Sequence, residues 1–145
     1  MLYTRISRVL ASAVLAGTMV AALSSPAFAA KPGIACKVIT GNVTSSVKFK
    51  KCTGNTGGGS KAFPAASLTG GTVKWLNGKK TTVALTITSG DPARCAAGTS
   101  EYDVVGSTTA DTTGSAKIGG AVKASVCVTG TGDVSLAAGT KLTFA

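Results

Sequence analysis

Histidine is absent from the 145 residues, and acids are scarce, with five Asp and Glu against fifteen Lys and Arg. Without an imidazole, serine and cysteine nucleophile schemes lose their usual general base, and zinc loses its common nitrogen ligand. Few carboxylates leave one acid pair to weigh, Glu101 and Asp103. They sit two residues apart on one face of an expected strand, roughly 7 Å along the backbone, a spacing that glycosidase carboxylates also show. Alternating polar residues more often mark the wet face of a sheet, and Lys123 on the neighbouring strand is expected to neutralise one of the two. No catalytic residue, metal site or cofactor is assigned, and the chain reads as non-enzymatic.

Helix formers such as Glu, Gln and Leu are also scarce, and no long stretch after the N-terminal segment spaces apolar residues as a helix would. Gly, Thr, Ser, Val and Ala dominate, so strands are expected throughout. The clearest covers Thr81 to Ser89, where Val83, Leu85 and Ile87 alternate with Thr82, Ala84, Thr86 and Thr88. Its partner, Thr72 to Leu76, puts Val73 and Trp75 on one face, with Trp75 in the core of the hairpin. Asn77-Gly78 between the runs predicts a turn with positive φ at both residues.

The N-terminal segment carries Arg5 and Arg8, an apolar stretch of about 15 residues from Val9 to Leu23, and the small-residue tail Ala27-Phe28-Ala29. It reads as a secretory signal peptide over residues 1–29, cleaved after Ala29, and is too short for the roughly 20 residues of a spanning helix. The mature part, 30–145, is long enough for one β-rich domain, with no membrane span after cleavage. Removing Arg5 and Arg8 from the formal +10 leaves it at about +8.

All four cysteines, Cys36, Cys52, Cys95 and Cys127, follow the expected cut, and none stand at metal-knuckle spacing, so they read as two disulfides. Ile39, Val43, Val47 and Phe49 occupy odd positions. One unbroken strand through them would hold Cys36 and Cys52 roughly 50 Å apart, whereas a reversal near Thr44 sets them opposite each other. Strands over Thr99–Thr109 and Gly120–Val128, joined by a turn near Asp111, likewise bring Cys95 to Cys127. This pairing is preferred among the three that four cysteines allow. Two short strands, Asp133 to Leu136 and Lys141 to Phe144, complete an all-β fold. It is expected as a single antiparallel sandwich or small barrel of about seven to eight strands, and the sequence does not choose between them. Residues 53–71, with Gly57-Gly58-Gly59-Ser60, read as a flexible loop without the lysine-threonine signature of a phosphate loop.

Cys36 with Thr40-Gly41-Asn42-Val43-Thr44, Lys51-Cys52, Trp75 before its hairpin, Gly98-Thr99-Ser100-Glu101-Tyr102-Asp103-Val104 and Val126-Cys127-Val128 together resemble small exported actinobacterial proteins with no assigned role. The resemblance covers most of the mature chain. It implies export and a β fold, and brings no catalytic residues with it.

The functional lead is charge. Lys48, Lys50 and Lys51, with Lys79 and Lys80, are candidate anion-binding residues, and anionic cell-envelope polymers are the expected partners of a secreted or wall-associated protein. The same lysines serve equally to solubilise a sheet or protect its edges. A dedicated nucleic-acid site would interleave aromatics with basic residues, and here the aromatics are scattered. Asn42-Val43-Thr44 matches a glycosylation acceptor by pattern alone. The alternative function is a barrel or sandwich that carries a small apolar molecule or blocks another protein, for which a cavity lined by Val and Ile would be the signature, with the Gly-rich segment before Phe63-Pro64 as lid or contact loop. Oligomeric state is not legible.

Overall fold

A computed structural model describes residues 30–64 and 69–145; the expected signal segment, 1–29, and residues 65–68 of the Gly-rich stretch lie outside the described residues. The alternating Val and Thr runs form β1 (Ile34–Gly41), β2 (Ser46–Cys52), β3 (Phe63–Pro64), β4 (Gly70–Lys74), β5 (Lys80–Ser89), β6 (Thr99–Asp111), β7 (Ala121–Thr129), β8 (Val134–Leu136) and β9 (Leu142–Phe144), with one 3-10 turn at Pro92–Arg94. No helix among the described residues is long and apolar enough to cross a membrane.

All pairings between these strands are antiparallel, in the order β3-β2-β1-β9-β7-β6-β5-β4, with β8 added to β7. β8 pairs with the second half of β7 and β9 with its first half, on the same edge, so the two act as one strand broken at Ala137–Lys141. The sheet then curls until its edges meet. Leu76 N donates to Gly59 O at 3.0 Å, Lys61 N donates to Lys74 O at 2.8 Å, and Ser60 bridges Trp75. Of the two expected architectures the chain therefore adopts the barrel, eight-stranded and nearly closed. The Gly57–Ser60 run, read from sequence as a flexible loop, is where the wall closes, because glycines allow two backbones to approach. A Cβ on Gly59 would stand 2.8 Å from Phe49 O.

The β4–β5 hairpin keeps the expected faces. Val73, Trp75 and Val83 are buried, and Thr81 opposite Val73 is fully buried. The turn differs from expectation. Trp75 N donates to Lys79 O at 2.8 Å, so Leu76 joins Asn77 and Gly78 in a three-residue loop. Gly78 alone takes positive φ, 84°, while Asn77 Oδ1 accepts from Lys79 N at 3.1 Å.

A β-bulge at Thr109 shapes the interior. Thr82 pairs with Ala110 but Val83 pairs with Thr108, leaving Thr109 without a counterpart. Before the bulge the even residues Tyr102, Val104 and Thr108 face inward; after it the odd residue Asp111 does, opposite Thr81. Both expected disulfides are present. Cys36–Cys52 ties β1 to β2, and Cys95–Cys127 fastens the 3-10 turn segment to β7. By loop length each contributes about 3 to 4 kcal/mol.

Gly106 on β6 stands opposite Leu85, and a Cβ there would lie 2.0 Å from Ala84 O. Its φ is not left-handed, so the penalty of a side chain is the contact itself. Gly106→Ala is expected to destabilise the fold by about 1 to 3 kcal/mol, measured as a lower urea midpoint with an unchanged slope. An unaltered midpoint would contradict this packing.

Candidate functional site

The two ends of the barrel differ in chemistry. One end is filled by aromatic rings: Trp75 packs edge-on against Phe144 with centroids 5.6 Å apart, and Phe49 lies 6.3 Å from Trp75. Behind them a polar chain secures the end. Trp75 Nε1 donates to Thr81 Oγ1 at 2.8 Å, and Thr81 Oγ1 donates to Asp111 Oδ1 at 2.7 Å. Thr113 Oγ1 and Gly114 N also donate to Asp111, both at 2.8 Å to Oδ2. Asn55 N donates to Ser115 Oγ and Asn77 Nδ2 to Asn55 O, linking two loops and the hairpin turn to the same end. The Thr109 bulge makes this possible by turning Asp111 inward.

Toward the other end the same inward faces carry smaller side chains, and space opens. A cavity of about 360 Å³ runs from a floor at Phe49, Phe63 and Phe144, past Val83, Leu85 and Val126, to Val43, Ile87, Val128 and Val134. Burial falls along the way: Phe144 and Val122 are nearly inaccessible, whereas Leu85, Ile87, Val104, Val128 and Val134 are half-buried. The result is a cup with an aliphatic rim. Two loops are tied together at its mouth, where Asn42 Nδ2 donates to Thr131 O at 2.9 Å and to Asp133 Oδ1 at 3.2 Å, and Val43 N donates to Gly132 O. Hydrogen bonds from Thr131 and then Asn42 hold the Asp133 carboxyl below its usual 3.8. The Asn42 amide is thus engaged in joining the rim, which sets a structural role beside the glycosylation pattern.

Lys48 and Lys50 point outward from β2, opposite in sense to buried Phe49. Lys51 is exposed with φ 53°, Lys79 is half-buried with its Nζ donating to Thr112 O at 3.3 Å, and Lys80 is exposed beside Lys74 in register. Barrel closure brings Lys61 and Lys74, which the sequence did not single out, between the two groups. Lys48, Lys50 and Lys61 border a shallow surface depression over Gly58, Gly59 and Leu76. Among the described residues the ion pairs belong to Arg94, and no lysine forms one.

Glu101 and Asp103 do share a face, but their counter-ion is Arg94. The Arg94 guanidinium bonds Glu101 Oε1 and lies 3.7 Å from Asp103 Oδ1, while Ser125 Oγ donates to Asp103 Oδ1 at 2.6 Å. Lys123, expected in that role, sits opposite Val105 instead. The Cys95–Cys127 bridge explains the exchange, since it lays the Pro92–Arg94 turn across this outer face and buries the Glu101 side chain beneath it. No group of three or more His, Cys, Asp or Glu among the described residues is arranged to hold a metal ion. No protein-family model, curated protein or solved structure matches the chain.

Burial pushes the Asp111 carboxyl up, but hydrogen bonds from Thr81, Thr113 and Gly114 together outweigh it and leave the group below 3.8. A folded value below the unfolded one stabilises the barrel at every pH above the unfolded value, and this contribution is lost as pH falls through the folded value. Asp111→Asn should therefore lower stability near neutral pH by about 1 to 3 kcal/mol and flatten the acid limb of a melting-temperature profile below about pH 4. An acid limb as steep as the wild type's would show that Asp111 does not set it.

Proposed function

We propose that this protein binds a small apolar molecule inside the barrel. The cup carries this reading. Its volume of about 360 Å³ lies within the usual range of ligand pockets and holds on the order of a dozen water-sized groups. Half-buried Leu85, Ile87, Val104, Val128 and Val134 leave aliphatic surface open to water at roughly 25 cal/mol per Å², a cost that a bound apolar molecule removes. The aromatic plug and the Trp75–Thr81–Asp111 chain close the far end, so the cup has one mouth.

We further propose that the protein is exported and held at the cell envelope by anionic polymers. The apolar segment ending Ala27-Phe28-Ala29, the two disulfides and the resemblance to small exported actinobacterial proteins support export. The specific observation behind envelope contact is the run of outward lysines across the closure, Lys48, Lys50, Lys61, Lys74 and Lys80, none of them ion-paired among the described residues. With the protein's few acids elsewhere, this face keeps its charge for a polyanion.

Phenylnaphthylamine fluorescence tests the cup. The oxidised protein should enhance the dye at low micromolar concentration, and Val104→Phe, which fills the cup from its wall, should weaken binding by roughly tenfold or more. Equal binding by a folded Val104→Phe variant would place the dye elsewhere and remove the basis of the reading. Retention on isolated cell wall across a salt series tests the basic face. Changing Lys48, Lys50 and Lys61 together to Gln should reduce the slope of log affinity against log salt by about two to three; an unchanged slope would assign these lysines to solubility.

A further inference from the structure

The wall of the cup is apolar with one exception, and that exception predicts the chemistry of what fills it. Tyr102 is the hydrogen-bonding side chain among the lining residues; the others are aliphatic or phenylalanine. It stands near the mouth, opposite Ser89 on β5 and Val126 on β7, and is half-buried. Its hydroxyl has no hydrogen-bond partner among the described residues, in contrast to Trp75, whose Nε1 is satisfied by Thr81. A phenolic hydroxyl set in an apolar wall is paired only when water or a ligand reaches it.

Charge is excluded from the cup as clearly as polarity is rationed. No lysine, arginine or carboxylate lines it, and the lysines around the closure face outward from the wall. A carboxylate or ammonium held at the Tyr102 hydroxyl would be partly stripped of water, a penalty that no side chain of opposite charge among the lining residues is there to offset. A neutral hydroxyl, carbonyl or ester at the mouth meets the Tyr102 hydroxyl at no such penalty.

We infer that the cup selects a neutral amphiphile, an aliphatic chain or ring system of about a dozen heavy atoms with a single hydrogen-bonding end, and that Tyr102 fixes that end at the mouth. The tail lies on the floor of Phe49, Phe63 and Phe144. This inference rests on the cup reading above and specifies its ligand. Tyr102 separates such an amphiphile from a bare hydrocarbon, and the absence of any charged lining residue separates it from a fatty-acid anion.

Displacement of phenylnaphthylamine by octan-1-ol, n-octane and octanoate, each against the wild-type protein and Tyr102→Phe, tests it. At about pH 7, where octanoate is ionised, octan-1-ol should compete roughly tenfold or more better than octanoate. Tyr102→Phe should weaken octan-1-ol by about 3- to 10-fold and leave n-octane within about twofold. Octan-1-ol affinity unchanged by the substitution, or a parallel loss for n-octane, would overturn the role of Tyr102, and octanoate equal to octan-1-ol would overturn the selection of a neutral end, each leaving an apolar cup intact. Failure of all three compounds to displace dye from the wild-type protein would overturn the cup reading together with this one.

Discussion

Backbone amides and carbonyls on the two outer edges of a curled sheet must find partners, and in this chain they find one another. The three residues Gly59-Ser60-Lys61 satisfy β2 on one side and the end of the β4–β5 hairpin on the other, with Ser60 N donating to Phe49 O and Leu76 N to Gly59 O. Without that contact the sheet would be an open ribbon with one face wet. With it, the sheet acquires an inside, and both the ring plug and the cup are properties of that inside. Closure also decides the outside, since it carries Lys61 and Lys74 into the space between two lysine groups that are distant in sequence.

Polarity along the barrel axis arises from side-chain volume rather than from any change of backbone. Along most of each wall strand the faces alternate residue by residue, and the inward positions hold Phe49, Phe144 and Trp75 at one end and Val43, Ile87, Val128 and Val134 at the other. Rings fill the cross-section of an eight-stranded barrel; valines do not. The alternation breaks in the first hairpin, where Ile34 and Cys36 are buried at even positions but Ile39 and Phe49 at odd ones and Lys51 takes φ 53°, and again at the Thr109 bulge, which supplies Asp111 to the filled end, where a carboxylate has hydroxyl and amide donors waiting. Had the alternation continued, Ala110 would face inward there, and the Trp75–Thr81 pair would have no anchor.

Much of this was legible in the residues. The Val83-Leu85-Ile87 alternation, the core position of Trp75, the tail strands and both disulfide pairings followed from two-residue periodicity and from the reach of an extended chain. What escaped depended on contacts far apart in sequence. Nothing in Lys61 or Lys74 alone says that one will lie beside the other, and Gly57–Ser60 has the composition of a linker although its backbone completes the wall. The partner of Glu101 was misjudged because neighbouring strands suggested Lys123, while a disulfide set Arg94 over the carboxylate from outside the sheet. The cup was foreseen only as an alternative, for periodicity shows which residues face inward but not whether their volumes fill the space they enclose.

The lane shared by β8 and β9 sits between β1 and β7, so that Phe144 pairs with Ile34 and with Val122. The wall segment that joins the first hairpin to the large meander is therefore the last part of the described chain to be synthesised. Until it pairs, β1 and β7 each present an unmatched edge, and the long-range contacts that fill the gap, such as Ile34 with Phe144, carry a loop-closure entropy that makes this joining slow. If the chain is exported as proposed, the wall is completed only once this lane has crossed with the rest, in a compartment where Cys36–Cys52 and Cys95–Cys127 can also form.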